Sequence, residues 1–423
     1  MTSIKSKLIL LAVAAVLWLD LNGQDLSLQD CYHAARNFSP VKKQQPNIAQ
    51  ISSLVMESLK KEKLPQIFAN GQYTYQSDVV SFPDFPGINR PDIPKNQYRI
   101  SLDINQSLFA GNRINKMVET EKARLQVDQQ ELEVKLSGIK SSVNELFFAA
   151  LSLQEKEKLY DIIIGDLKTR ISLIQSLIRN GVLLPGNEKS LLIEIKRAEQ
   201  EKTGLYFQKS GVLRMLEEKT GLEISSERNL VVPEFQFVQS NNLKREEKLL
   251  FKYSHATLQE QMQLTNLSRY PKLSAFGSLG IGNPNPVNFF ETGTSEFYLV
   301  GLKLSWNIWD WNNSKRAKQI LQLQQQNLNE EERDFDLNVF TQLAGANTNL
   351  EKLRTLLISD KEILELQKEI TEEAFSRFRE GVITPSEYST ELNRQIQAQL
   401  KLKMREIEIS QAIVNILTLT GHI

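Results

Sequence analysis

Few residues in this chain are spaced to do covalent or metal chemistry. The three histidines, His33, His255 and His422, form no metal-ligand spacing with one another or with acids. Cys31 is the only cysteine, which excludes an internal disulfide. A lipidated cysteine needs small residues before it, and Gln29-Asp30 stand there instead, so Cys31 reads as a small, half-buried helix residue. No serine, histidine and acid combine into a nucleophilic constellation. The run GSLGIG at 277–282 loosely resembles a glycine-rich phosphate loop, but small residues in a crowded strand explain it better. No cofactor or metal is implied, and the chain reads as a non-enzyme. What repeats is a motif of shape and charge, S-x-x-R-x-G-V-x-x-P. It is written SLIRNGVLLP at 176–185 and SRFREGVITP at 376–385.

Those ten residues spell a tight turn between two helices. Arg179 and Arg379 fall in the last turn of an outgoing helix, where a cation meets the negative dipole end. Gly181 and Gly381 supply the left-handed residue that closes it, and Pro185 and Pro385 suit the first turn of the next. In the second copy Thr384-Pro385-Ser386-Glu387 is a full capping box. The helices that the turn joins are legible from the prolines. None falls between Pro94 and Pro185, between Pro185 and Pro233, or between Pro286 and Pro385. Ile163, Leu167, Ile171, Ile174 and Ile178 form one helical stripe, and Leu350, Leu353 and Leu357 another. Helices over 112–179 and 312–379 would each be about 100 Å long at 1.5 Å per residue. Such lengths need partner helices, which 186–220 and 386–420 supply.

The duplication covers most of the chain. LPQIFANGQYTY at 64–75 aligns with YPKLSAFGSLGI at 270–281, an offset of 206 that becomes 200 after residue 98. The expected organisation is a signal peptide over 1–24, a first repeat over 25–225, a linker over 226–242 and a second repeat over 243–423. The signal peptide rests on Lys5 and Lys7 before the apolar run Leu8–Leu19, with cleavage near Gly23 or Gln24. No later apolar stretch is long enough for a membrane helix, so the exported chain is either soluble or a barrel. Lys plus Arg and Asp plus Glu number 51 each, a balance that does not point to nucleic acid.

Each repeat carries two segments of alternating polarity, expected as strands over about 65–76, 97–109, 271–282 and 296–309. In the second, Tyr98, Ile100, Leu102 and Ile104 alternate with Arg99, Ser101, Asp103 and Asn105. About ten residues is the length of a tilted membrane strand; a soluble half-buried sheet gives the same alternation. The export signal, the polar loops 77–96 and 283–295, and Trp306, Trp309 and Trp311 at a strand end favour the membrane, as an aromatic girdle. Four strands cannot close a barrel, and open edges are not tolerated in lipid, so the chain must oligomerise.

The strand entries quoted above, the exits SLFAGNRINK and WNIWDWNNSKRAK, and the paired R-x-G-V-x-x-P turns together resemble the TolC-like outer-membrane efflux proteins, over nearly all of the exported chain. The resemblance implies an α+β membrane protein: a homotrimeric twelve-stranded outer-membrane β-barrel, four strands per chain, continued by a periplasmic α-helical coiled-coil barrel. It places the protein in the outer membrane of a Gram-negative bacterium. It also implies docking to a periplasmic adaptor (a membrane fusion protein) and an inner-membrane pump of RND or ABC type, for efflux or type I secretion. By resemblance, the hairpin tips Arg179, Gly181, Val182, Leu183, Arg379, Gly381, Val382 and Ile383 would meet the adaptor. Glu387 matches an acid that narrows the entrance, with Asn187 in its place in the first copy; the alternative is that Glu387 only caps its helix. Phe378 and Ile383 replace a tyrosine and an arginine that latch the entrance in some members. The competing reading of the whole chain is a periplasmic coiled-coil scaffold or adaptor without a channel, which leaves the strands unexplained.

Overall fold

A computed structural model describes residues 25–80, 93–235, 242–288 and 290–423. The expected signal peptide lies outside them, as do 81–92 of the first inter-strand loop and 236–241 of the linker.

Helix α1 (Leu28–Phe38) starts at a capping box between Ser27 and Asp30. Helix α2 (Gln45–Lys61) leads into strands β1 (Gln66–Tyr75) and β2 (Asn96–Phe109). Helix α3 (Arg113–Arg179) then turns back as α4 (Pro185–Thr220). The second repeat gives α5 (Glu246–Asn266), β3 (Lys272–Asn283), β4 (Ser295–Ser305), α6 (Asn313–Arg379) and α7 (Pro385–Thr420). Helices α3 and α6 both have 67 residues and α4 and α7 both 36, so the spacing of prolines and glycines sets equal lengths in the two copies.

The compact units cut across the repeats. One is built from 25–44, 132–248 and 333–423, the other from 45–131 and 249–332, and each draws on both halves of the sequence. The second holds the sheet, antiparallel throughout and ordered β1-β2-β3-β4. Its central ladder joins the repeats, pairing Leu102 with Leu279 and Ile104 with Gly277. β4 ends at Ser305, four residues short of the expected 309. Its partner β3 begins at Lys272, paired with Ser305, and before it come Pro271, which has no N–H to donate, and a 3₁₀ turn over Leu267–Arg269. Trp306, Trp309 and Trp311 therefore lie beyond the strand, in the connection to α6.

In the helical unit Phe147 and Phe148 meet edge to face at 5.9 Å among Leu151, Leu213, Leu216 and Val414. Cys31 belongs to this cluster and is wholly buried rather than half-buried, because α1 lays that face against α3 and α4. Side chains of this size contribute about 1.5–3 kcal/mol each on burial. The linker is held there too. A parallel bridge pairs Leu230 with Leu26, and the buried amide of Gln154 serves the remaining backbone groups, donating to the Leu230 carbonyl at 2.9 Å and accepting from its N–H at 2.7 Å. A second cluster, with Ile163, Leu167, Ile171 and Ile174, lies under the hairpin turns. Ile178 and Leu357 of the expected stripes are only partly buried.

Candidate functional site

Strand alternation gives the sheet two unlike faces. On one stand Ile67, Ala69 and Gly71 of β1, Ile104, Leu102 and Ile100 of β2, Gly277, Leu279 and Ile281 of β3, then Tyr298, Val300, Leu302 and Leu304 of β4. Val300 is 78% and Tyr298 77% exposed, and an apolar face of this extent does not stay bare in water. The opposite face is organised around Asp103. Its carboxylate accepts from Asn70 Nδ2 and Ser278 Oγ at 2.5 Å each and from Ser101 Oγ at 3.2 Å. Arg99 donates to Ser278 Oγ at 3.3 Å, and its guanidinium carbon lies 5.0 Å from the Phe297 ring centroid. Glycines make this layer possible. A Cβ on Gly280 would come within 2.2 Å of the Ile100 carbonyl oxygen, and one on Gly301 within 2.7 Å of the Phe276 ring. GSLGIG is therefore a paired strand whose N–H groups serve the ladder, which leaves no phosphate cradle. The alternation in sequence grouped Arg99, Ser101 and Asp103 on one face. Their network with Ser278 needed the pairing of strands from different repeats.

The two hairpin turns share one backbone. Gly181 N–H donates to the Ile178 carbonyl at 3.0 Å and Val182 N–H to that of Leu177 at 2.9 Å. Gly381 and Val382 do the same to Phe378 and Arg377 at the same distances. With φ of 75° and 73° at the glycines, each is a Schellman motif, closed as the Gly-Val pair foretells. The side chains then diverge. Glu387 folds back on its own helix: its carboxylate accepts from Thr384 N–H at 2.7 Å and Thr384 Oγ1 at 2.9 Å, while Glu387 N–H donates to that hydroxyl at 3.3 Å. The Thr384 backbone bond first, and the hydroxyl bond second, hold its carboxyl below the usual range. In the first copy Leu184 offers no side-chain cap, Asn187 is half-buried, and the acid is Glu188, which accepts from Gln175 Nε2 at 2.7 Å.

The expected contact surface needs one correction. Leu183 is 8% exposed and Ile383 half-buried, because both drop into the apolar cluster beneath the turns. Val182, Leu184 and Val382 face out at 56, 76 and 62%, beside the exposed Arg179 and Arg379. Under the second turn Tyr388 is fully buried and stacks parallel on Phe378 at 5.2 Å, with Phe375 at 5.4 Å. Burial pushes the Tyr388 phenol up to about 12. Arg170 of α3 reaches across to lie 4.4 Å over the Phe375 ring; it pairs with Asp166 at 2.9 Å and also with Glu372. Phe375 and Tyr388 occupy the positions that Gln175 and Glu188 hold in the first copy. Nothing local in the sequence announced this cluster, since its members come from three helices.

Among the described residues no group of His, Cys, Asp or Glu is arranged to hold a metal ion. Nor is any described helix long and apolar enough to cross a membrane, which says nothing of a β-barrel.

The architecture is thus a four-stranded antiparallel sheet with one bare apolar face, each of its two strand pairs followed by a long helical hairpin. Three solved structures share it over most of their length. CusC aligns with a TM-score of 0.68 at 11% identity, covering 94% of this chain and 93% of that one. The CmeC outer membrane channel of Campylobacter jejuni aligns at 0.62 and 13%, covering 96% and 87%. The MtrE outer membrane channel of Neisseria gonorrhoeae, in its open state, aligns at 0.63 and 15%, covering 93% and 88%. At these identities the likeness is one of fold. Comparison with curated proteins returns no match. The family enters through the second half: residues 252–422 match the outer membrane efflux protein family, the one that the paired turn motifs resemble. It is a family of efflux channels rather than enzymes.

Proposed function

We propose that this protein is the outer-membrane exit duct of a tripartite efflux or type I secretion system, working as a homotrimer whose sheets join into a twelve-stranded barrel. The observation that carries the reading is the sheet: one apolar face exposed, one polar face networked, and the edges of β1 and β4 unpaired among the described residues. In lipid such edges must be covered, and copies of the same sheet cover them with no new chemistry. The apolar face then meets outer-membrane lipid and the Asp103 face lines the passage. The helices call for partners too: Ile363, Leu366 and Ile370 of α6 recur at helical spacing and are exposed, which fits burial against another copy. At the turns, Val182, Leu184 and Val382 with Arg179 and Arg379 form small apolar tips ringed by cations, the surface offered to a periplasmic adaptor and, through it, an inner-membrane pump of RND or ABC type. Asn187 and Glu387 stand near the entrance on this reading, Glu387 acting first as a cap. The test is direct. Detergent-solubilised protein from outer-membrane fractions should run as a trimer and give discrete conductance steps in planar bilayers. A monomer, or protein recovered mainly in the soluble periplasmic fraction, overturns the proposal.

A further inference from the structure

Beyond β4 the chain builds a surface that neither the strands nor the helices require. Trp306, Trp309 and Trp311 are all more than half exposed, yet they are not loose. Trp306 Nε1–H donates to the Arg269 carbonyl at 3.0 Å, and Trp309 and Trp311 meet edge to face at 5.8 Å. Arg316 donates to the Trp311 carbonyl at 2.9 Å. The one carboxylate here, Asp310, is turned inward and engaged by Ser314 N–H and Oγ at 2.9 and 2.5 Å, with Arg269 at 3.8 Å. Around it Arg269, Lys315, Arg316 and Lys318 are exposed, and no further acid follows in the chain before Glu330. The cations do not serve the helix they begin, since its dipole favours acids in that turn and it has none.

The backbone adds a second oddity. Trp311 and Asn312 have φ of 53° and 60°, and the same turn in the first copy is made by Gly111 and Asn112 at 59° and 63°. Glycine takes that conformation freely, whereas tryptophan takes it at a cost. Gly111 is required where it stands, because a Cβ there would lie 2.7 Å from Tyr270 Cβ. Trp311 meets no such limit, and its large ring is held in the open at a strained position.

We infer that this patch is a binding surface for anionic phospholipid headgroups, on which Arg269, Lys315, Arg316 and Lys318 meet lipid phosphates while the three indoles sit at the boundary with the acyl region. Charge complementarity commits the occupant: four cations against one engaged carboxylate suit an anionic membrane surface, and indoles prefer that boundary layer. The patch also follows directly on the strand that carries Leu302 and Leu304, since Trp306 comes straight after Ser305, and it and Ile308 are exposed like them. The inference rests on the barrel reading and adds headgroup selectivity to it.

The tryptophans report on the patch themselves. The chain has four, and the fourth, Trp18, lies in the expected signal peptide, so in protein lacking residues 1–24 the tryptophan fluorescence, excited at wavelengths that tyrosine does not absorb, comes from this surface alone. The full channel would be placed in vesicles containing phosphatidylglycerol or phosphatidylcholine with identically brominated acyl chains. Phosphatidylglycerol should quench better at equal mole fraction, by about fivefold in relative binding at low salt, and 0.5 M NaCl should erase the preference. Replacing Arg269, Lys315, Arg316 and Lys318 by Gln should do the same with conductance unchanged. Trp311→Gly, which the first copy shows the turn accepts, should leave folding intact and reduce quenching. Equal quenching by the two lipids overturns the headgroup inference and leaves the barrel standing. Quenching by neither, with conductance intact, shows the patch covered by protein and also overturns it. Quenching by neither together with no conductance overturns the barrel reading itself.

Discussion

Arg170→Lys separates the two forces that join the hairpins beneath their turns. The Arg170 side chain is 11% exposed and pairs with carboxylates on Asp166 and Glu372 whose side chains are 52% and 63% exposed. Water screens such pairs, and each is worth about 0–1 kcal/mol. Against them stands the guanidinium 4.4 Å over the Phe375 ring, largely desolvated, where a cation–π contact is worth about 1–2 kcal/mol. Stacking should therefore dominate. Lysine keeps the charge and can hold one carboxylate, but gives up the planar stack and the second bond. The expected loss is about 1.5–2 kcal/mol, read as a lowered denaturant midpoint of the solubilised protein, and it should persist at 0.5 M NaCl because only the ion pairs are screened. Glu372→Gln should cost less than about 1 kcal/mol. A wild-type midpoint for Arg170→Lys, or a difference that vanishes in high salt, refutes the ranking and makes the ion pairs the tie.

Glu387→Gln should leave reversal potentials in a salt gradient unchanged, since the carboxylate is turned back onto Thr384; a clear fall in cation preference would restore Glu387 as a charge ring. Thr384→Ala should cost about 1 kcal/mol as a lost cap, seen in thermal unfolding. Asp103→Asn should lower cation preference, because it leaves Arg99 as the nearest charge on that face; identical reversal potentials would mean that this face does not line the pore. Asp360 is buried against Arg405 Nε at 3.0 Å and Lys401 Nζ at 3.1 Å. Burial pushes its carboxyl up, but the two cations prevail and hold it below the usual range. A lowered folded-state pKa stabilises above the unfolded value of about 4 and loses that contribution as pH falls through the folded value. Asp360→Asn should therefore be weaker at pH 7 yet lose less stability below pH 4, and parallel pH profiles for the two proteins would discount Asp360.

What could be read in advance was what depends on a residue and its near neighbours. Gly181 and Gly381 with φ above 70°, the Thr384–Glu387 box and the alternation through Tyr98–Ile104 are all set within a few positions of chain. The stripe through Ile163, Leu167, Ile171 and Ile174 is likewise buried as its period requires. What escaped depends on who stands opposite. β4 stops at Ser305 because β3 starts at Lys272, and no pattern within residues 296–309 records that. Val382 and Ile383 look alike in sequence, and only the packing of Tyr388 and Phe378 below decides which of them faces inward. The i,i+4 pair of Arg170 with Asp166 is local, but its reach across the hairpins gave no signal, since Glu372 lies 202 positions away on a helix whose rotation is fixed by the assembled core.

The order β1-β2-β3-β4 has a temporal meaning. β1 and β2 are joined by residues 76–95 and β3 and β4 by 284–294, so each hairpin can form as soon as its own repeat is present. The ladder between them is different in kind, because Ser278 and Asp103 are 175 residues apart and both arms of the first helical hairpin lie in between. Loops of that size close slowly, and the ladder rewards nothing until they do. While the second repeat is still arriving, the free edge of β2 is open to the β3 edge of any neighbouring copy, which would fit it as well as its own. Correct assembly is then a race between an intramolecular closure and an exchange between chains, and concentration and the time between the two repeats decide the winner.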